Sequence, residues 1–134
     1  MFLVQTHLQY SQIHGIGVFT DEGIAKGQTV WQFDSRIDLA ISIDELIKFP
    51  PAMQAYLKIY SYIELKNGKR IMILCADNAK YINHNNDANL IDTRDGLREI
   101  AARDIAEGEE LTNNYYNFDL EAPNKLGREI VKDL

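Results

Sequence analysis

The sequence predicts a single, mainly β domain of short strands with one small helical insert. Runs of strand-forming residues alternate with Gly, Asn and Asp along most of the chain. Of the 134 residues, 46% are hydrophobic and 25% are charged, which suits a folded domain better than a disordered chain. We therefore predict one domain over residues 1–134 that buries its own hydrophobic core.

Six segments are predicted to be strands because each is rich in β-branched or aromatic residues and is bounded by turn residues. They are residues 2–8, 18–20, 29–33, 59–65, 70–74 and 97–102. The clearest hairpin covers residues 60–74, where Asn67 and Gly68 can supply the positive φ angles of a tight two-residue turn. A further short strand is expected where the acidic residues of 108–111 lead into an aromatic cluster.

The helical insert is predicted over about residues 42–58. Ser42 can cap its first helix, with Glu45 reaching back to complete a capping box. A Pro-Pro pair ends that helix, because proline lacks the amide hydrogen that a helix interior needs. The second proline, Pro51, suits the first turn of another short helix over residues 52–58.

An internal repeat links two distant parts of the chain. GIAKGQTV at residues 23–30 returns as DIAEGEEL at residues 104–111. Each copy has the form of a strand end, a glycine turn at Gly27 or Gly108, and a new strand. Two copies are too few for a solenoid, so we expect the two corners to pair as related halves of one β core.

Composition excludes several classes of protein. A net charge of −6 argues against a direct nucleic-acid binder that neutralises phosphates. Cys75 is the single cysteine and only three histidines are present, so we predict no disulfide and no metal site. The sequence shows no basic leader and no run of eighteen apolar residues, which predicts an intracellular, cytoplasmic protein without membrane association. A nuclear or chromatin-associated location is the alternative.

Negative charge is concentrated in residues 83–110, where eight acidic residues outnumber three basic ones. If these side chains share one face, their field would attract cationic ligands such as peptides rich in Lys and Arg. The alternative is a solvated surface that keeps the protein soluble.

Three motifs contain residues that could carry chemistry. In HGIGVF, residues 14–19, two glycines precede a strand and let the backbone approach a ligand, although an ordinary turn would look similar. In YINHNNDAN, residues 81–89, four asparagines and a histidine can present amides to a polar heterocycle, although a lone His84 is more often structural. In GEELTNNYYNF, residues 108–118, the tyrosines could equally pack with their hydroxyls at the surface.

Taken in order and at these separations, the three motifs resemble those of the SET-domain lysine methyltransferases. The resemblance covers about residues 4–118 and implies the SET-domain (β-clip) fold, in which a pseudoknot-like C-terminal region joins distant segments. The family's NHSxxPN loop reads NHNNDAN here, and its GEELTYDY reads GEELTNNY. Tyr115 is thereby left at the position that matches the catalytic tyrosine, and the insert resembles the family's variable insert.

The resemblance implies S-adenosylmethionine as methyl donor and the ε-amine of lysine in a basic protein or peptide, such as a histone, histone-like or ribosomal protein, as acceptor. Tyr115 would be the catalytic residue and would position the methyl group and the amine through its hydroxyl. The cofactor-binding residues would be His14, Gly15, Ile16, Gly17, Asn83, His84, Tyr115 and Phe118. Tyr60 and Tyr62 are candidates for the lysine channel, with plain strand packing as the alternative.

The C-terminal tail, residues 119–134, lacks the cysteines of the zinc-bound cap that closes the cofactor site in many members of the family. Phe118 and this tail would have to close the site instead. A last helix is predicted over residues 125–134, weakened by Gly127. Completion of the site by the second subunit of a homodimer is a further hypothesis.

Two alternatives to the enzyme stay open at this point. One is an inactive SET-like module that binds S-adenosylmethionine or a basic peptide. The other is a β module with a purely structural or partner-binding role.

Overall fold

The computed structural model describes the backbone of residues 1–131 and the side chains of residues 1–126. Within that range the chain forms ten short strands and two α-helices. They are β1 (Thr6–Tyr10), β2 (Ile16–Thr20), β3 (Thr29–Gln32), β4 (Leu39–Ser42), α1 (Pro51–Tyr60), β5 (Tyr62–Lys66), β6 (Lys69–Leu74), β7 (Asn83–His84), β8 (Leu90–Asp92), β9 (Arg98–Ala101), β10 (Glu110–Asn113) and α2 (Ala122–Val131). Short 3-10 helices cover Ile43–Lys48, Asn78–Tyr81 and Tyr115–Asn117.

The strands form three small sheets, in the orders β1-β2-β10-β7, β3-β9-β8 and β4-β6-β5. The prediction of a mainly β fold is confirmed. Most neighbouring strands run antiparallel, but β7 and β10 are parallel, with Asn83 opposite Thr112 and His84 opposite Asn113. This pairing places the asparagine-rich motif directly beside the third motif, although about thirty residues separate them in sequence.

The hydrophobic core lies where the first two sheets meet. Its buried members come from five strands (β2, β3, β8, β9 and β10), from the two repeat corners and from the segments just before β1 and β7. They are Val4, Val18, Ile24, Val30, Ile82, Leu90, Ala101, Ile105 and Leu111. A smaller cluster, Leu57, Ile63 and Met72, packs α1 against the β4-β6-β5 sheet. Burying a side chain of this size contributes about 1.5–3 kcal/mol, so the smaller cluster holds the insert onto the β4-β6-β5 sheet.

The two repeat corners pair as predicted. Ile24 and Ile105 exchange backbone hydrogen bonds, each 2.8 Å from nitrogen to oxygen. Gly27 and Gly108 have φ angles of +83° and +87°, in the region that L side chains rarely adopt. The two halves of the β core therefore meet at a local pseudo-symmetric contact.

Several predicted boundaries are wrong. β1 begins at Thr6 rather than at residue 2, because Phe2 makes only an isolated bridge to Trp31. Residues 59 and 60 are helical rather than extended, since α1 continues to Tyr60, whose ring packs 4.7 Å from that of Tyr56 one turn earlier. β5 therefore starts at residue 62, while the hairpin turn predicted at Asn67 is confirmed by φ angles of +51° and +74° at residues 67 and 68.

The start of the insert also differs from the prediction. Residues 43–48 form a 3-10 turn instead of an α-helix. Ser42 accepts a hydrogen bond from the amide of Asp44 at 3.3 Å, but no capping box forms, because Glu45 pairs with Lys48 at 3.0 Å. The second helix begins at Pro51, one residue before the predicted range of 52–58, and has the proline in its first turn as predicted.

The C-terminal helix begins three residues earlier than predicted. The Asp119 carboxylate accepts the amide hydrogen of Glu121 at 3.0 Å, which caps the start of α2 at Ala122. Residues 132–134 of the predicted helix lie outside the described residues. Within residues 1–131, no helix is long and apolar enough to cross a membrane.

Candidate active site

The side-chain amide of Asn83 joins the three motifs. Its Nδ2 lies 2.9 Å from the carbonyl oxygen of His14, 3.1 Å from that of Ile16 and 3.0 Å from Oε1 of Glu110. Asn83 is 9% exposed, so these bonds replace contacts with water. One buried amide thus connects the glycine loop (residues 14–17) and the start of β10 to the asparagine-rich segment (residues 81–89).

Gly17 allows the glycine loop to lie against Glu110. A Cβ atom at position 17 would overlap the Glu110 carboxylate and come within 3.1 Å of the Ser11 Cβ. The same carboxylate accepts a hydrogen bond from Ser11 Oγ at 3.0 Å. The first glycine, Gly15, has a φ of +49° and no atom within 4 Å of where a Cβ would lie, while its carbonyl oxygen accepts the amide hydrogen of Ser11 at 2.8 Å.

His84 connects β7 to the aromatic cluster. Its Nδ1 accepts the backbone amide hydrogen of Tyr115 at 3.1 Å, and its Nε2 lies 2.8 Å from Asn86 Oδ1. The accepting nitrogen is unprotonated, so Nε2 carries the hydrogen that is donated to Asn86. The imidazole also stands 5.4 Å and 5.6 Å from the rings of Tyr115 and Tyr116, centroid to centroid.

Tyr115 lies between this ring and a pocket. Its hydroxyl donates a hydrogen bond to the carbonyl oxygen of Ile82, the residue before Asn83. Burial raises the pKa of the Tyr115 hydroxyl to about 12, so at neutral pH the group is a phenol that donates a hydrogen bond. Tyr115 therefore occupies the place where the asparagine-rich segment and the pocket meet, and Asn83 in that segment contacts the glycine loop in turn.

The pocket has a cavity volume of about 50 Å³, room for more than one water molecule. Its aromatic walls are Trp31, Tyr60, Tyr62, Tyr115 and Phe118. The rings of Tyr62 and Phe118 meet edge to face at 5.1 Å, and burial raises the pKa of the Tyr62 hydroxyl well above its usual range. These aromatic walls form one side of a narrow space that can strip water from an alkyl chain, and polar residues line the rest of it.

One edge of the pocket is closed by α2. Lys125 Nζ lies 2.7 Å from Asp119 Oδ2 and also donates to the Ser61 carbonyl oxygen. The other oxygen of Asp119 accepts the amide hydrogen of Ile63 at 3.0 Å. This buried ion pair ties the C-terminal helix to the end of α1 and the start of β5.

A polar pair forms a buried wall of the same pocket. Asn113 Nδ2 donates to Glu99 Oε1 at 2.7 Å, and both residues line the cavity. Burial, followed by the nearby negative charge of Asp92, raises the pKa of Glu99 to about 8. Glu99 faces inward because it shares a strand face with the buried Ala101.

An acidic groove adjoins the pocket, and Phe118 and Asp119 line both. Carboxylates of Glu64, Asp92, Asp95 and Asp119 line this groove, together with the cationic Lys66 and Arg94. Burial and then the charge of Glu64 raise the pKa of Asp92 to about 6. The groove has a volume of about 350 Å³.

The acidic residues of 83–110 do not form one charged face. Glu99 is buried in the pocket, and Glu110 lies under the glycine loop. Glu109 pairs with Arg103 at 3.0 Å and accepts the amide hydrogen of Ala106. Much of the negative charge therefore serves local structure, and the acidic groove draws on residues from outside that stretch as well.

The structure brings most of the predicted site residues together, while their roles remain predictions. Asn83 and His84 contact the glycine loop and Tyr115, respectively. The other predicted residues divide between two places: His14, Gly15, Ile16 and Gly17 lie in the glycine loop, and Tyr60, Tyr62, Tyr115 and Phe118 line the pocket. The glycine loop residues do not line the pocket themselves.

Sequence reasoning missed several pocket residues, among them Trp31, Ile82, Glu99, Asn113, Asp119 and Lys125. One signal was available for Glu99, a charged residue inside the predicted strand 97–102. On a strand, Glu99 and Ala101 point to the same face, so placing the small apolar residue inward would also have placed the carboxylate inward.

The fold and this convergence of motifs define a SET domain. The SET-domain family model matches residues 15–116, most of the chain, so the chain belongs to the SET-domain family. A search of curated proteins finds no match.

Solved structures support the same family. The Polycomb Repressive Complex 2 of Chaetomium thermophilum bound to S-adenosylmethionine, in an autoinhibited conformation, matches with 26% identity and a TM-score of 0.64 over 97% of this chain and 17% of that one. A humanized mutant of that complex bound to the inhibitor GSK126 matches with 27% identity and a TM-score of 0.65 over 90% of this chain. The chain spans 16% of the length of that relative.

A Plasmodium falciparum protein assigned as a histone methyltransferase has the same fold. It is 22% identical with a TM-score of 0.58, over 84% of this chain and 93% of that one. The resemblance to a SET domain is thus confirmed by the family match and by the fold.

Proposed function

We propose that this chain is an S-adenosylmethionine-dependent protein-lysine N-methyltransferase that acts on a basic protein or peptide. The observation that carries the proposal is the position of Tyr115. Its amide contacts His84, its hydroxyl contacts the Ile82 carbonyl, and the residue lines the aromatic pocket. A phenol at this junction can align a group held on the glycine-loop side with an amine held in the pocket.

The residues present fit the proposed cofactor. His14, Gly15, Ile16, Asn83 and His84 would hold S-adenosylmethionine, which supplies an electrophilic methyl group on a sulfonium when bound. Gly15 is exposed and has no atom within 4 Å of where a Cβ would lie, so a ligand can approach the loop closely at this position. The oxygens of Tyr115 and of the Ile82 carbonyl are electron-rich, and such oxygens suit a positively charged sulfur.

The acceptor amine must be neutral to attack a methyl group. Deprotonating a lysine of ordinary pKa 10.4 at pH 7.4 costs about 4 kcal/mol. The aromatic walls of the pocket lower this cost, because desolvation disfavours the charged ammonium. Holding the amine in line with the methyl group can then contribute about 7–11 kcal/mol through orientation.

The acidic groove supports a cationic substrate. Four carboxylates line it, and two of them are paired, Glu64 with Lys66 and Asp119 with Lys125. Asp92 and Asp95 have no ion-pair partner among the described residues, and the groove shares Phe118 and Asp119 with the pocket. A peptide with Lys or Arg beside the acceptor lysine would gain favourable charge interactions there. Attraction of the peptide and desolvation of its amine would thus occur in adjoining parts of the surface.

A methyl-transfer assay tests the proposal. The chain is incubated with methyl-labelled S-adenosylmethionine and a mixture of histones and ribosomal proteins, and Tyr115→Phe is compared with Tyr10→Phe. Tyr10 is 90% exposed and serves as the matched control. We expect labelled lysine with the wild type and Tyr10→Phe, and a loss of about 100-fold or more with Tyr115→Phe, the effect of removing one oriented hydroxyl.

Calorimetric titration with S-adenosylmethionine separates the alternatives. Saturable binding without transfer to any basic protein would contradict the enzyme and indicate an inactive binding module. Absence of both binding and transfer would indicate a β module with a structural role.

A further inference from the structure

The buried polar wall of the pocket contains groups that the proposed reaction does not use. Trp31, Glu99 and Asn113 are 2%, 8% and 4% exposed. The Asn113 amide nitrogen donates to one oxygen of Glu99. Within the part of the chain that the structure describes, the other Glu99 oxygen, Asn113 Oδ1 and Trp31 Nε1 have no hydrogen-bond partner on the protein.

Leaving these atoms without partners destabilises the fold. A buried polar group without a hydrogen bond costs about 1–3 kcal/mol. Glu99 lies on the middle strand of its sheet, paired with Trp31 on one side and Asp92 on the other, where an apolar residue would pack without this penalty. Unpartnered atoms of this kind in a cavity wall point to a ligand that supplies the missing partner.

We propose that Glu99 and Asn113 form an amine-binding site that holds the methyl-accepting nitrogen through its N–H hydrogens. This inference rests on the proposed function and adds the groups that recognise the acceptor. Both are positioning residues, and the ligand class is a primary or partly methylated alkylamine.

The chemistry of the unpartnered atoms matches that ligand. Glu99 and Asn113 each offer an oxygen that can accept a hydrogen bond, and an alkylammonium carries only donors. With its pKa near 8, the Glu99 carboxyl is largely protonated at neutral pH and still has an oxygen that can accept an N–H hydrogen, which leaves the lone pair of a neutral amine free to attack. The Trp31 N–H is itself a donor, so it suits the Glu99 carboxylate and not the cation.

Selectivity among methylation states follows from this arrangement. Each methyl group on the nitrogen removes one N–H donor and adds volume. A quaternary ammonium has the same charge as a primary one but no N–H to offer, so it should not bind at the Glu99–Asn113 pair.

Trp31 provides a direct probe of binding, because it is the single tryptophan of the chain and lines the same cavity. The full chain is titrated with n-butylammonium chloride, which mimics a lysine side chain, and in parallel with butyltrimethylammonium chloride. The indole N–H signal of Trp31 is followed by NMR. We expect a saturable shift with the primary ammonium and binding weaker by about tenfold or more with the quaternary one, the effect of losing a hydrogen bond to a charged group.

Variants of Glu99 complete the test. Glu99→Leu should weaken butylammonium binding by about tenfold or more, whereas Glu99→Gln, which keeps an acceptor oxygen, should bind with intermediate affinity. Glu107→Gln is the charge-matched control, because Glu107 is exposed, and it should bind as the wild type does. Thermal unfolding of each variant establishes that it is folded. Glu99→Leu removes a buried acid but leaves the Asn113 amide nitrogen without its acceptor, so Glu99→Gln, which keeps an acceptor oxygen, should melt at least as high as Glu99→Leu.

Equal responses to the two ammonium ions, or undiminished binding in Glu99→Leu, would overturn the amine site. A second readout separates this outcome from a failure of the proposed function. Selective amine binding without methyl transfer would support the amine site and contradict the proposed methyltransferase activity. Methyl transfer with an unchanged KM for the acceptor in Glu99→Leu would support the proposed methyltransferase activity and contradict the amine site.

Discussion

The side-chain amide of Asn83 donates to the carbonyl oxygen of His14 at 2.9 Å, across 69 residues of sequence. The two residues belong to different motifs, His14 to HGIGVF and Asn83 to YINHNNDAN. This side chain thus adds a direct link between the glycine loop and the segment that leads to the Tyr115 contact, beside the pairing of β2 and β7 with β10.

Asn83→Ala should lower the free energy of unfolding by roughly 1–3 kcal/mol, because it removes a buried amide that donates to the carbonyl oxygens of His14 and Ile16 and to the Glu110 carboxylate. Chemical denaturation measures this change. Asn124→Ala, which removes an exposed amide from the surface of α2, is the control and should change stability by about 0.5 kcal/mol or less. Equal effects of the two substitutions would show that the Asn83 amide does not hold the motifs together.

Gly17→Ala should destabilise the fold by about 1–3 kcal/mol through overpacking, because its methyl group overlaps the Glu110 carboxylate. Gly23→Ala is the matched control. A Cβ at Gly23 meets only the Ile105 carbonyl oxygen, at 3.9 Å, so this change should be neutral or stabilise by about 0.4–1 kcal/mol. The penalty of Gly17→Ala should shrink in a Glu110→Ala background, and a penalty independent of residue 110 would contradict this explanation.

The two repeat corners should respond alike to substitution. Gly27 and Gly108 have nearly the same positive φ, and a Cβ would meet no atom within 4 Å at either position. Alanine at each site should therefore cost about 1–2 kcal/mol from backbone strain alone, measured by thermal or chemical unfolding. Asparagine, which tolerates this conformation better, should cost less at both. A large effect at one corner and none at the other would show that the corners are not equivalent.

Stability should fall as pH rises because of Glu99. The pKa of this group is about 8 in the fold against an ordinary value of 4.5. Between these values the folded chain keeps a proton that the unfolded chain has lost, so the contribution is complete below pH 4.5 and is lost as pH rises through 8. The slope approaches about 1.4 kcal/mol per pH unit.

Other groups titrate near Glu99, so the comparison with Glu99→Gln isolates its effect. Asp92 and Asp77 raise its pKa, while the N-terminal ammonium and the Asn113 hydrogen bond lower it. The difference in unfolding free energy between wild type and Glu99→Gln, measured by denaturation from pH 4 to 9, should shift in favour of the variant as pH rises. A difference that stays constant with pH would contradict the buried, protonated state of Glu99.

Local features of the fold were predictable because they depend on neighbouring residues. The turn at Asn67 and the helix start at Pro51 follow from the backbone preferences of those residues. The end of α1 was not predictable in this way. Ile59 and Tyr60 favour strands by composition, but the packing of Tyr60 on Tyr56 and the burial of Leu57 keep them helical.

The order and spacing of the three motifs were sufficient to identify the family, because the residues of each motif are adjacent in the chain and can be read together. The buried polar wall of the pocket could not be predicted from the sequence in this way. Trp31, Glu99 and Asn113 come from three strands, and only strand pairing brings them to one cavity. Hydrogen bonds between distant segments depend on how the sheets pack, and local sequence patterns do not encode that packing.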